Sequence, residues 1–158
     1  MKHHISALTA LAAALATMMV VSPAQAFETV CYDAKVSARI RDEVPTVIPD
    51  IRDESGAASH IDAWPWIVDL NVQQVREGNI SDRRLRVLTI QNTYFQHSTR
   101  DYYLRRNHQG GWNVIWPTAQ QTLTRCASDS QPARAYFTPA NGKTLEDARR
   151  EGRRSYER

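Results

Sequence analysis

Beyond the N-terminal apolar run, the longest apolar stretch bounded by turn residues runs from Trp64 to Gly78. Trp66, Val68, Leu70 and Val72 alternate there with Ile67, Asp69, Asn71 and Gln73, so one face is wholly apolar and the other turns polar after its first residue. The pattern predicts a long, half-buried central strand, with Pro65 at its mouth where a missing N–H is tolerated. Two glutamines interrupt the alternation between Val72 and Val75. That break predicts a bulge or strong coiling, as a closed sheet requires. The alternation is cleanest from Val30 to Ile40: Val30, Tyr32, Ala34, Val36, Ala38 and Ile40 fall on one side, Cys31, Asp33, Lys35, Ser37 and Arg39 on the other. This is a first strand whose polar side carries a cysteine.

Between the two strands, Val44 to Asp53 holds Pro45 and Pro49 among Val47, Ile48 and Ile51. The prolines forbid a helix and predict an extended connection. After Gly78 the turn cluster Asn79 to Asp82 leads into Arg84 to Gln91, rich in Leu85, Val87, Leu88 and Ile90, which should form a hairpin with the central strand. Polar Asn92 to Arg100 reads as a loop. Tyr102 to Arg106 and Trp112 to Trp116 flank Asn107 to Gly111, a second hairpin with glycines where positive φ is wanted. Pro117 ends that strand, Thr118 to Thr124 reads as a connector, and Arg134 to Phe137 as an extended piece. Thr144 can cap a final helix with Asp147 three residues on. Glu146 with Arg150, and Arg153 with Glu157, have i,i+4 spacing. The apolar stripe of Leu145, Ala148 and Tyr156 is thin, so the helix should be marginally docked or frayed.

At the N-terminus, Met1-Lys2-His3-His4 precedes an apolar run from Ile5 to Val21 and then Ser22-Pro23-Ala24-Gln25-Ala26. Basic start, apolar middle and small residues at Ala24 and Ala26 predict a secretory signal over residues 1–26, cleaved before Phe27. Beyond Ala26 the chain holds no second apolar run long enough to span a bilayer. A single domain over 27–140 and a C-terminal helix or tail over 141–158 are expected. Roughly 130 residues can bury about two-thirds of their unfolded surface.

Export changes the reading of the cysteines. Cys31 and Cys126 are the chain's two, and in an oxidising compartment a single disulfide is their natural pairing. Closing a loop of ~95 residues should stabilise the domain by roughly 4 to 5 kcal/mol on the loop-entropy argument. Net charge is +3, and Lys2, Lys35 and Lys143 are the only lysines, so arginine carries nearly all of the positive charge. Arginine suits planar contacts to carboxylates and phosphates.

Five strands in a meander with long first and second members, a bond from the first strand to the tail and no helix-rich middle suggest a small β-barrel or a coiled antiparallel sheet. The runs Cys31 to Val36, Val68 to Gly78 and Leu85 to Ile90 resemble the OB-barrel of netrin-like modules and metalloproteinase inhibitors, where a Cys-containing first strand precedes a second ending in a Val-x-x-Gly-like turn. The resemblance implies a mainly β fold of five-stranded, OB-like form. It does not carry over the inhibitors' zinc-chelating mechanism, since the cysteines are too few and Cys31 would not be the mature N-terminus.

Barrels of this type bind ligands on a strand face, with aromatic stacking beside positive charge. Arg84, Arg86, Arg105 and Arg106, interleaved with Tyr102 and Tyr103, are the candidate binding residues. They suit an anionic polymer such as a glycan, or a partner protein's acidic surface. Export argues against nucleic acid. No cofactor and no metal site are expected. The chain lacks G-x-S-x-G, H-E-x-x-H and a phosphate-cradling glycine loop. An alternative is a small hydrolase or metal-dependent enzyme assembled from His60, His97 or His108. The leader makes one prediction: the exported form has an intact mass that begins at Phe27, and a membrane-bound form retaining residues 1–26 would overturn it.

Overall fold

The structure is a computed structural model. It describes residues 28–46, 63–92, 94–140 and 142–156; the leader, the connection over 47–62 with His60, and Glu157 lie outside the described residues. Seven strands and one helix follow in order: β1 Glu28–Tyr32, β2 Ala34–Pro45, β3 Trp64–Glu77, β4 Arg84–Gln91, β5 Arg100–Arg106, β6 Trp112–Ile115, β7 Gln121–Arg125 and α1 Leu145–Tyr156. Strands β2-β3-β4-β6-β5 close into a barrel, β5 returning to pair with β2. The fold is mainly β, of the five-stranded OB-like form expected. It is not a simple meander, because β4 and β6 pair in parallel.

The barrel interior is the apolar side of the alternation. Ala34, Val36, Ala38 and Ile40 meet Trp66, Val68, Leu70 and Val72, with Leu85, Val87, Tyr102, Leu104 and Val114 from the other strands. The irregularity expected near Val72 to Val75 is present. Between β2 and β3 the register slips from Val36 opposite Val75 to Ala38 opposite Val72, and a second slip separates Lys35 opposite Glu77 from Val36. A third, between Ile40 and Asp42, leaves Arg41 as the extra residue on β2. Each bulge bends its strand and increases twist, which helps a narrow barrel to close.

Three expectations are corrected. The first strand is two: the chain breaks at Asp33, and β1 leaves the barrel to pair in parallel with β7. Residues 118–124, read as a connector, supply most of β7. Regular strand also runs on to Pro45, further than the prolines suggested. The break at Asp33 has a physical cause in its neighbours. Asp33 accepts from the Arg105 guanidinium at 3.0 and 3.1 Å and from the Arg106 N–H at 2.7 Å, so its side chain anchors the bend instead of continuing a ladder. Gly78 sits against the same bend with φ of 85°, and a Cβ there would lie 2.6 Å from the Asp33 carbonyl oxygen. The Cys31–Cys126 disulfide, with Cα atoms 4.8 Å apart, ties β1 to the chain just past β7.

Helix α1 opens as its sequence predicts. The Asp147 N–H donates to Thr144 Oγ1 at 3.1 Å, and the Thr144 N–H donates to the Asp147 carboxylate at 2.9 Å. That backbone bond, with the Thr144 hydroxyl and Arg150, holds the Asp147 carboxyl below its ordinary pKa. The helix is docked, not frayed, and Glu146 does not pair with Arg150 as expected: Arg150 reaches Asp147 and Glu146 meets Arg86 and Arg149, while Arg149 and Arg153 both reach Asp42 on β2, and the expected Arg153–Glu157 pair lies outside the described residues. Gly152 makes the docking close. A Cβ at that position would stand 1.9 Å from the Pro45 carbonyl oxygen. Gly152→Ala should therefore destabilise the domain by about 1–3 kcal/mol through overpacking, against the gain of nearly 1 kcal/mol that alanine brings to an open helix site. Urea unfolding checks the sign, and a stabilised variant would show that the helix does not pack there.

Candidate functional site

The registers of β2, β3 and β4 stack the outer face of the barrel into three rows. Arg39 faces Asn71, which faces Arg84; Asp42 faces Asp69, which faces Arg86; Val44 faces Ile67, which faces Leu88. All these side chains point outward because they occupy the positions between the interior residues of each strand. The rows differ in chemistry and so in what covers them.

The apolar row is under the C-terminal segment. Ile67 and Leu88 pack with Ala135 and Ala148, flanked by Tyr136, Phe137 and Leu145. The middle row is an ion-pair network completed by α1. Arg86 donates through Nε to Asp69 Oδ1 at 2.8 Å and through Nη1 to Glu146 at 2.7 Å. Arg149 reaches Asp69 at 3.1 Å, Glu146 at 3.6 Å and Asp42, which Arg153 also meets at 2.6 Å. The Asp69 hydrogen bond, and behind it Glu146, raise the pKa of Arg86 above its ordinary value. Three carboxylates and three guanidiniums thus satisfy one another.

The remaining row is open. Arg39, Arg41 and Arg84 are exposed, and none forms an ion pair among the described residues. Two clefts border them. One, of about 350 Å³, is lined by Arg39, Ile40, Arg41, Asn71 and His97. The other, of about 410 Å³, is lined by Arg41, Asp69, Leu70, Arg84, Leu85 and Arg86. Arg41, the bulged residue of β2, belongs to both.

The six candidate binding residues do not share one exposed surface. Arg84 and Arg86 stand on this outer face, Arg84 free and Arg86 already engaged. Tyr102 is 2% exposed and belongs to the barrel interior. Its parity with Leu104 places it there. Arg105 is 8% exposed and is a clamp, bonded to Asp33, to the Gln131 carbonyl and to Cys126 Sγ. Tyr103 packs edge-on against Tyr32, with centroids 5.0 Å apart, and Lys35 lies over its ring. Arg106 is exposed but stacks on Trp112 at 5.0 Å. Arg39 and Arg41 are the residues of this face that sequence reasoning misses. Lys35, Ser37 and Arg39 form the polar side of the first strand, and that side becomes a neighbour of Arg84 only through β3.

The histidines are dispersed. His97 Nε2 lies 3.2 Å from Glu43 at the edge of the first cleft. His108 Nδ1 accepts from the Ala135 N–H at 3.2 Å in the lashing of the C-terminal segment to the β5–β6 turn. His60 lies outside the described residues. Among those residues no group of three His, Cys, Asp or Glu side chains is placed to hold a metal ion, and no helix is long and apolar enough to cross a membrane.

Fold and site together define a small closed β-barrel with a cationic outer face. Comparison with protein-family models, curated proteins and solved structures finds no match to the chain.

Tyr102 generates a prediction of its own. Its hydroxyl is buried without a hydrogen-bond partner among the described residues, and burial raises its pKa. Leaving a buried hydroxyl unsatisfied costs about 1–3 kcal/mol. Tyr102→Phe should therefore unfold at an equal or higher denaturant concentration than the wild type, whereas a loss of more than about 1 kcal/mol would reveal a partner for the hydroxyl.

Proposed function

We propose that the protein is an exported, non-enzymatic binding module that takes an anionic polymer or an acidic partner surface on the outer face of β2, β3 and β4. One observation carries the reading. Among the described residues, Arg39, Arg41 and Arg84 stand exposed and without an ion pair, beside a row in which every carboxylate is neutralised. Even with Glu43 included, six guanidiniums face four carboxylates across this region among the described residues. Unpaired arginines favour no intramolecular partner and present planar donors in pairs to carboxylate, sulfate or phosphate. OB-type barrels use this part of their surface for oligomeric ligands. The disulfide and the signal-like leader support an oxidising compartment outside the cytoplasm.

Affinity capture from a periplasmic extract at low salt tests the reading. Wild type should retain partners that Arg39→Glu/Arg84→Glu loses, since like charges across an interface are repulsive and slow association. Arg76→Glu/Arg134→Glu is the charge-matched control, two exposed arginines away from the three-row face. Equal retention by both double variants would reduce the Arg row to a solvated surface.

A further inference from the structure

Resting on the reading of that face as an anion site, we infer that its ligand is an extended acidic glycan whose carboxylate or sulfate groups bridge both clefts, crossing β3 between Arg39 and Arg84. The two clefts are separate pockets that share Arg41. Arg39 and Arg84 flank Asn71 in a single register row, so their Cα atoms stand two strand spacings apart, about 10 Å. A single small anion can engage one end only. A chain carrying anionic groups at that interval engages both, with the Asn71 amide beneath its middle and Arg41 at the border the two clefts share.

The lining also selects among polyanions. No Phe, Tyr or Trp borders either cleft among the described residues. Single-stranded nucleic acid is held by base stacking on aromatic side chains as well as by charge. The face therefore offers the electrostatic part of such a site without its stacking part. A sugar acid, with its charge on the ring substituents and hydroxyls between, needs only guanidiniums and amides. Export, as the signal-like leader suggests, would bring the chain to where such polymers occur.

Calorimetric titration of the full exported chain at low salt with mono-, di-, tetra- and hexagalacturonate reads this directly. Engagement of two linked clefts should make the hexamer about a hundredfold tighter than the monomer, the gain expected when a second contact becomes intramolecular. Arg41→Gln should remove most of that advantage while leaving the melting temperature near wild type, because Arg41 is exposed and forms no ion pair among the described residues. Monomer and hexamer affinities within about threefold would overturn the bridging geometry while leaving an anion site in place. Tighter binding of an oligothymidylate or an oligoglutamate of equal charge would overturn the glycan. Absence of binding by every anion would remove the anion site itself, and this inference with it.

Discussion

The pairing of Asp69 with Arg86 and Arg149 is the interaction on which the rest of the outer surface depends. Asp69 sits in the middle of the longest strand, with a carboxylate of β2 opposite it on one side and an arginine of β4 on the other. Two facing carboxylates on adjacent strands repel, and without cations from elsewhere this row would weaken the β2–β3 pairing. Helix α1 supplies those cations. Arg149 and Arg153 neutralise the row and bring the helix down over Val44, Ile67 and Leu88, a patch too small to hold twelve residues by apolar burial alone. Surface pairs are individually weak, but a network in which Arg86 grips Asp69 with two nitrogens and Arg149 and Arg153 share the remaining carboxylates loses less side-chain entropy per contact. The same arithmetic leaves Arg39, Arg41 and Arg84 without an ion pair among the described residues.

The sequence made much of the barrel legible because interior positions obey a period of two. Both hairpins, the central strand, its irregularity after Val72 and the Thr144 cap are local features, and local chemistry specifies them. What escaped was decided by distant partners. Tyr32 and Ala34 are both buried, so the alternation passes through Asp33 without a mark, although the chain bends there on Arg105. Residues 121–125 become a strand only because β1 lies alongside, and a parallel pairing leaves no turn signal between its members. Gly152 looks like a helix weakness in the sequence and is the point of closest approach in the fold.

The site was legible by type and not by position. Arginine enrichment pointed to anionic partners, and Arg84 and Arg86 do lie on the relevant face. Arg105 and Tyr102 carry the same residue types into structural roles, one as a clamp on a bend and one in the core. Composition cannot separate these, since burial is fixed by strand parity and by which segment crosses overhead. The companions of Arg84 are on β2, more than forty residues away, and become visible only through the register of β3 between them.

The bond between Cys31 and Cys126 encloses β2 through β7 within one covalent ring. Tension applied to the two ends of the chain passes from the N-terminal segment across the sulfurs to the segment after β7, bypassing every strand of the barrel. Among the described elements, β1 as far as Cys31 and α1 with its lashings lie in the loaded path, and the helix and its lashings peel in sequence from the C-terminus. A chain tethered at either end would thus yield its helix to a pull while the cationic face of the barrel stayed in register.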